Sequence, residues 1–159
     1  MDIGYDLFLD QSTLKSTFVA ADIFDKDSGL KELEGKIDIV HGASFLHLFN
    51  LEDQTKACKR IVQILKAAPG SIFIGRQLGN IEASDQDSHI DPSQKRFRHS
   101  PDSFKEMWKH VSEEAGGEWD VVARLESVDL HSLAEKAGIK ASFISDGSRF
   151  LNFAVRRVS

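Results

Sequence analysis

The stretch IDIVHGASFLHLFNLEDQTKACKRIVQILKAAPGSIFIGR, residues 37–76, decides the fold. It opens on an apolar run, Ile37 to Ala43, closed by small residues, which reads as a buried strand. Within Leu51 to Leu65, the apolar positions Ala57, Cys58, Ile61, Val62 and Leu65 recur at helical spacing. Lysines and Arg60 fall in the C-terminal half, where cations complement the helix dipole. Pro69-Gly70 stops that helix, and Ser71 to Arg76 is a second apolar run of strand length. Strand, helix, strand is the repeating unit of a parallel α/β sheet.

Outward from this unit the pattern continues. Upstream, Phe18-Val-Ala-Ala21 reads as another buried strand ending on Asp22, followed by a polar stretch, Lys26 to Gly35, with a helical turn at Leu30 and Leu33. Downstream, Gly79 to Arg98 is polar and aperiodic and reads as a long loop, the kind of segment that carries function on a rigid sheet. Ser100-Pro101 then opens a helix with Ser100 as N-cap, Pro101 at its first position and Phe104, Met107, Trp108 and Val111 in one apolar stripe. Gly116-Gly117 ends it. Trp119 to Leu125 and Phe150 to Val158 read as strands, separated by an amphipathic stretch, Leu130 to Ala137, and a turn at Asp146-Gly147. The pattern predicts one α/β domain over residues 1–159, a mostly parallel sheet with an antiparallel C-terminal edge.

Composition narrows the function classes. The 159 residues carry 20 basic and 25 acidic side chains, a formal charge of −5, which gives no general attraction to nucleic acid or anionic membrane. A single cysteine, Cys58 on an apolar helical face, excludes an internal disulfide and a Cys-cluster zinc site and fits a reducing compartment. The start MDIGYDLFLD lacks the basic and long apolar regions of a secretory signal, so a cytoplasmic protein is expected.

Ligands of open α/β sheets sit beyond the carboxyl ends of the strands. Four such ends carry chemistry. Asp22-Ile-Phe24 offers an acid beside apolar and aromatic residues, able to bind a base amino group and ring, or simply a capped turn. His41 to His47 holds two histidines around small residues, candidates for a general base or for core positions; six residues is not the spacing of a zinc-binding helix, and no metal is expected. Arg76-Gln77 ends an apolar strand with an anion-binding side chain or a solvated end. Arg96-Phe-Arg98-His99-Ser100 is a basic cluster leading into a helix N-terminus, an anion site or a cap with two surface arginines. No G-x-G-x-x-G, G-x-S-x-G, P-loop or H-E-x-x-H occurs.

The ordered set AADIFD, IDIVHGASFLHLF, KRIVQILK, PGSIFIGRQ, FRHSPDSFKEMW and RFLNFAVRRV resembles the C-terminal two thirds of a class I S-adenosylmethionine-dependent methyltransferase. The nearest likeness is to fungal enzymes that methylate polyketide and meroterpenoid natural products. The resemblance implies an incomplete Rossmann-like fold with the family's first two strands missing. It implies that Asp22 and Ile23 hold the adenine, that His41 to Ser44 line the methionine side, and that the segment with Arg98 and His99 faces the substrate; beside it, the residues themselves add Phe24 to the adenine contacts and Arg76 and Gln77 to the expected substrate contacts. The family's glycine-rich cofactor loop and its ribose-binding acid have no counterpart here, and the chain opens on the helix remnant Gly4 to Phe8.

Two expectations follow. Methyl transfer is expected to be lost in favour of cofactor-free acid/base chemistry on a natural-product intermediate, with His41, His47 or His99 as acid or base. S-adenosylmethionine enters only if a dimer or a partner chain completes the site, and a non-catalytic partner of a full-length methyltransferase is the remaining alternative. The strand at Ile37 to His41 is expected to have a bare apolar edge, covered by re-pairing with the strand at Phe18 to Ala21 or by a homodimer.

Overall fold

The computed structural model describes residues 7–88, 91, 93–139 and 144–159. Along the chain come β1 (Ile39–Ala43), α1 (Leu51–Ile64), β2 (Ile72–Asn80), β3 (Ser84–Asp87), β4 (Lys95–Arg98), α2 (Pro101–Ala115), β5 (Trp119–Leu125), α3 (Leu130–Lys136) and β6 (Ser148–Arg157). Two single 3-10 turns, Gly29–Leu33 and Leu46–Leu48, flank β1. The sheet order is β1-β2-β6-β5, with β3 and β4 forming a separate two-stranded hairpin.

This is an α/β fold with a mixed sheet. The parallel part is the β1/β2 pair, with α1 as the crossover, and the antiparallel C-terminal edge is β6 against β2 and β5. The expected unit at residues 37–76 is therefore present, as are the helices at Leu51 and Ser100 and the strand at Trp119. Asn50 caps α1 by accepting from the Asp53 N–H at 2.9 Å. Ser100 and Ser103 cap α2 reciprocally, the capping box that the Ser-Pro start announces.

Both long helices pack on one face of the sheet. Ala57, Cys58 and Ile61 of α1 and Phe104, Trp108 and Val111 of α2 close over Phe73, Leu151, Phe153 and Val155. The centre is aromatic: Phe73 and Phe153 rings lie 4.9 Å apart, and Phe104 and Phe153 rings 4.8 Å apart. Cys58 is fully buried, and burial pushes its thiol pKa up, so it is a packing residue.

Four expectations need correction. Phe18 to Ala21 forms no strand and lies exposed, because a strand exists only where a neighbour takes its N–H and C=O groups, and the sheet ends at β1. Re-pairing with β1 does not occur, and β1 keeps an open edge on which Ile39 is 61% exposed. The segment Gly79 to Arg98 is not one long loop, since β2 runs on to Asn80 and Ser84–Asp87 pairs with Lys95–Arg98. Arg60 does not serve the helix dipole. It is buried, with Nη1 donating to Gln63 Oε1 at 2.9 Å and to the Glu34 carboxylate. Of the helix remnant at Gly4 to Phe8, residues 4–6 lie outside the described residues, and Leu7 and Phe8 are helical and exposed.

Candidate functional site

Beyond the carboxyl end of β1 the chain turns sharply. Ser44 takes a left-handed conformation, φ +52°, while its N–H continues the parallel ladder to the Arg76 carbonyl at 2.7 Å. The 3-10 turn that follows carries His47. The β3/β4 hairpin folds over this turn, and the two are tied by backbone and side chain. The Phe97 N–H donates to the Phe49 carbonyl at 2.9 Å, and the Gln54 amide donates to the carbonyls of Phe49 and Phe97 at 3.0 and 2.9 Å. Buried Arg98 completes the tie, its Nη1 donating to the His47 carbonyl at 2.6 Å.

A pocket of about 260 Å³ results, lined by Ser44, His47, Leu78, Arg96, Arg98, Leu130, Ile144 and Phe150. Its volume is at the small end of ligand sites. Burial, then the charges of Arg98 and Arg96, lower the His47 pKa to about 4, so the imidazole is neutral at pH 7. The Leu78 N–H reaches His47 Nδ1 at 3.4 Å, a long hydrogen bond that leaves the ring proton on Nε2. Burial and Arg96 hold the Arg98 pKa down at about 10, still charged at pH 7. The polar lining thus consists of two guanidiniums, an imidazole N–H and a hydroxyl, with no carboxylate among the lining residues.

The candidates from the sequence divide sharply. Ser44, His47 and Arg98 come together in the pocket. Arg76 is exposed on the sheet face, its guanidinium 4.1 Å from the ring centroid of Phe150, so it borders the pocket through that ring. His41 is exposed on β1 and lines no part of it. Gln77 is 1% exposed in the core, on the same face of β2 as Phe73, and neither its Oε1 nor its Nε2 has a partner among the described residues. It does not line the pocket.

His99 is also fully buried, with Nδ1 2.9 Å from Ser103 Oγ; it backs a separate groove of about 460 Å³ between α1 and α2. Burial lowers its pKa to about 4. The three histidines are therefore not one catalytic group.

Asp22, Ile23 and Phe24 form a turn. Asp22 Oδ1 accepts from the Phe24 N–H at 2.9 Å, Ile23 packs against the core, and Phe24 meets Phe49 edge-on at 5.1 Å. Sequence reading missed Leu78, Leu130 and Phe150 as lining. Arg96 belongs to the basic cluster it singled out, and the structure puts Arg96 and Arg98, alternating about Phe97, on one face of a strand. Among the described residues, no three His, Cys, Asp or Glu side chains come together as a metal site, and no helix is long and apolar enough to cross a membrane.

No family model matches the chain. Among curated proteins it is similar to O-methyltransferase phiE of a fungal species, 48% identical over 125 residues, or 78% of this chain and 41% of that protein. It is also similar to O-methyltransferase atr3 of Stereocaulon alpinum, 36% identical over 159 residues, or 99% of this chain and 44% of that protein. Methyltransferase adrK of Penicillium roqueforti is 34% identical over 73% of this chain and 42% of its own length. The chain thus spans less than half the length of these relatives.

The fold is that of solved methyltransferases. The 1,6-didemethyltoxoflavin-N1-methyltransferase of Burkholderia thailandensis superposes with a TM-score of 0.62 at 13% identity, covering 96% of this chain and 56% of that one. The 4+2 cyclase SpnF superposes with a TM-score of 0.57 at 15% identity, covering 99% and 62%.

S-adenosylmethionine, the cofactor this kinship implies, does not find a complete site in these residues. The Asp22 carboxylate is engaged by its own turn, and the glycine turn and ribose-binding acid have no counterpart in the sequence. The described residues offer one wall of a cofactor site at most. By sequence and fold together, the chain belongs to the class I S-adenosylmethionine-dependent methyltransferase-like family, with relatives among fungal O-methyltransferases.

Proposed function

We propose that this chain forms the substrate-holding half of a natural-product methyltransferase site, and that its pocket binds a small ring compound through an anionic oxygen, a carboxylate or phenolate. The observation that carries this reading is the polar lining of Arg96, Arg98, His47 and Ser44, rich in donors and without a carboxylate, beside the apolar Leu78, Leu130 and Phe150. Guanidiniums at a half-buried site are strong partners for an oxyanion, and the apolar wall takes the ring. The curated relatives, named as O-methyltransferases, support an oxygen as the acceptor atom. Methyl transfer itself requires a cofactor wall from residues outside those described here.

The test is titration of the chain with salicylate and with uncharged salicylamide, followed by calorimetry or ligand-observed NMR. Salicylate should bind at least tenfold tighter, about 1.4 kcal/mol, and Arg96→Met should remove the difference. Equal affinity for the two would end this reading.

Cofactor-free acid/base chemistry is the second reading, favoured by His47 lining the pocket. A group with a pKa of about 4 is a weak base at pH 7, and its N–H is better suited to hydrogen-bonding an oxygen than to taking a proton. A cyclisation or isomerisation here would thus rest on binding and orientation, and would be seen as product formed by the chain alone, unaffected by S-adenosylmethionine.

A further inference from the structure

β4 has a second face. The alternation that turns Arg96 and Arg98 into the pocket turns Phe97 and His99 away from it, toward the groove of about 460 Å³ between α1 and α2. Leu51, Phe97 and Met107 give that groove apolar walls, and its volume lies within the range of small-molecule sites.

The polar side chains along the groove are engaged with their neighbours, with one exception. Thr55 Oγ1 donates to the Leu51 carbonyl at 2.8 Å. Ser103 Oγ accepts from the Ser100 N–H at 3.0 Å and lies 2.9 Å from His99 Nδ1. At the rim His110 Nε2 lies 2.6 Å from the Glu114 carboxylate. The exception is His99 Nε2, on a fully buried ring, which has no partner among the described residues. Phe97 and Phe104 hold that ring edge-on, at 4.8 and 5.5 Å between centroids, and Ser103 holds its other nitrogen. The ring is therefore pinned with one polar atom unused, and a buried polar atom is costly to leave unpaired.

The geometry also says what the missing partner is. Ser103 Oγ has one proton to give, either to His99 Nδ1 or to the Ser100 carbonyl 3.2 Å away. In the first case Nε2 carries the ring proton and donates; in the second it accepts. A hydroxyl serves both, whereas an ether or a ketone serves only the first. Charge sets the rest. Burial keeps the His99 imidazole neutral at pH 7, no lysine or arginine lines the groove, and the exposed Glu106 carboxylate stands at its mouth, so an anion is turned away. We propose that this groove is a second small-molecule site, for a neutral aromatic ring bearing a hydroxyl, with the hydroxyl on His99 Nε2 and the ring against Leu51, Phe97 and Met107. β4 is then a wall between two sites of opposite preference, an oxyanion on its arginine face and an un-ionised phenol on the other. The second site stands on residues that the first does not use.

The probes are para-cresol, which is neutral at pH 7, and toluene, which lacks the hydroxyl, each titrated into the full chain and followed by NMR. The expected result is cross-relaxation between the para-cresol ring protons and the Met107 methyl, and a preference for para-cresol over toluene that falls about fivefold in His99→Phe. Thr55→Phe, which fills the groove from a half-buried position on α1, should abolish binding of both probes. Should His99→Phe fail to fold, the His99 imidazole nitrogen resonances of the unaltered chain read the same contact: they must move with para-cresol and stay in place with toluene. Absence of the Met107 contact, binding that survives Thr55→Phe, or a preference indifferent to His99 would overturn the proposal. So would displacement of para-cresol by salicylate, which would put the phenol in the arginine pocket. Arg96→Met should leave para-cresol binding unchanged while it removes the preference for salicylate, so failure of the groove and failure of the pocket reading are told apart.

Discussion

The Arg98 guanidinium reaches back along the chain to the carbonyl of His47, donating to it at 2.6 Å, and this bond joins the hairpin to the turn after β1. Arg96, two residues away on the same face, lines the pocket without such a bond. The two arginines should therefore fail differently. Arg98→Met leaves a carbonyl without its charged donor and should cost about 1–3 kcal/mol of stability, read as a lower urea midpoint. Arg96→Met should leave the midpoint within about 0.5 kcal/mol of wild type while removing the preference for salicylate.

The buried His99 makes stability depend on pH. Its folded pKa is about 4 against 6.5 unfolded, so between those values the unfolded chain binds the extra proton. Stability is thus full above pH 6.5 and falls as pH drops toward 4, by up to about 1.4 kcal/mol per pH unit. His47 adds to the loss in the same window. Urea unfolding of wild type and His99→Phe at pH 7 and pH 4.5 checks this. The variant should lose less stability between the two pH values; equal losses would mean that His99 is not buried neutral.

Gln77 buries an amide with no partner among the described residues. Replacing it with methionine, similar in shape and apolar, should raise stability by about 1 kcal/mol, since an unpaired buried polar group costs about 1–3 kcal/mol. Thermal unfolding reads the shift. Salicylate binding should not change, because Gln77 does not line the pocket; a large loss of binding would return it to the site.

Ser44 holds a left-handed backbone that costs a non-glycine residue about 1–2 kcal/mol. Ser44→Gly should be neutral or stabilising by up to about 1 kcal/mol, and Ser44→Val should destabilise by more than that. Denaturant midpoints of the two variants, in opposite order from ordinary strand-end preferences, are the check.

The fold was legible where periodicity and punctuation coincide. Ala57, Cys58 and Ile61 with Pro69-Gly70, and Ser100-Pro101 with the stripe to Val111, each specify a helix and its end from local residues alone. Phe18 to Ala21 was misread because its apolar run has strand character, but whether a strand forms depends on a neighbour that the run does not encode. The hairpin was missed because β3 is polar throughout and β4 carries a single apolar residue, Phe97, too little to show the period of two that marks a half-buried strand. Of the site, Ser44, His47 and Arg98 were legible as strand-end residues. Gln77 and His99 were not, since a polar residue among core positions gives no sign in sequence of which way it faces. Leu78 and Phe150 were hidden for the same reason, each apolar in an apolar strand.

The tie of Gln54 to both Phe49 and Phe97 has a mechanical consequence. With Arg98 bonded to His47 as well, the hairpin and the turn are tied at three points, so the basic wall is the fastened side of the pocket. The lining residues outside these ties are Leu78 and Phe150 on the sheet, Leu130 of α3 and Ile144. α3 is two turns long and is fastened to the sheet by the Asp129–Arg149 ion pair at 2.6 Å. Among the described residues the α3 side is the part of the lining outside these ties, so breaking the Asp129–Arg149 pair, as in Arg149→Met, is the change expected to speed ligand exchange.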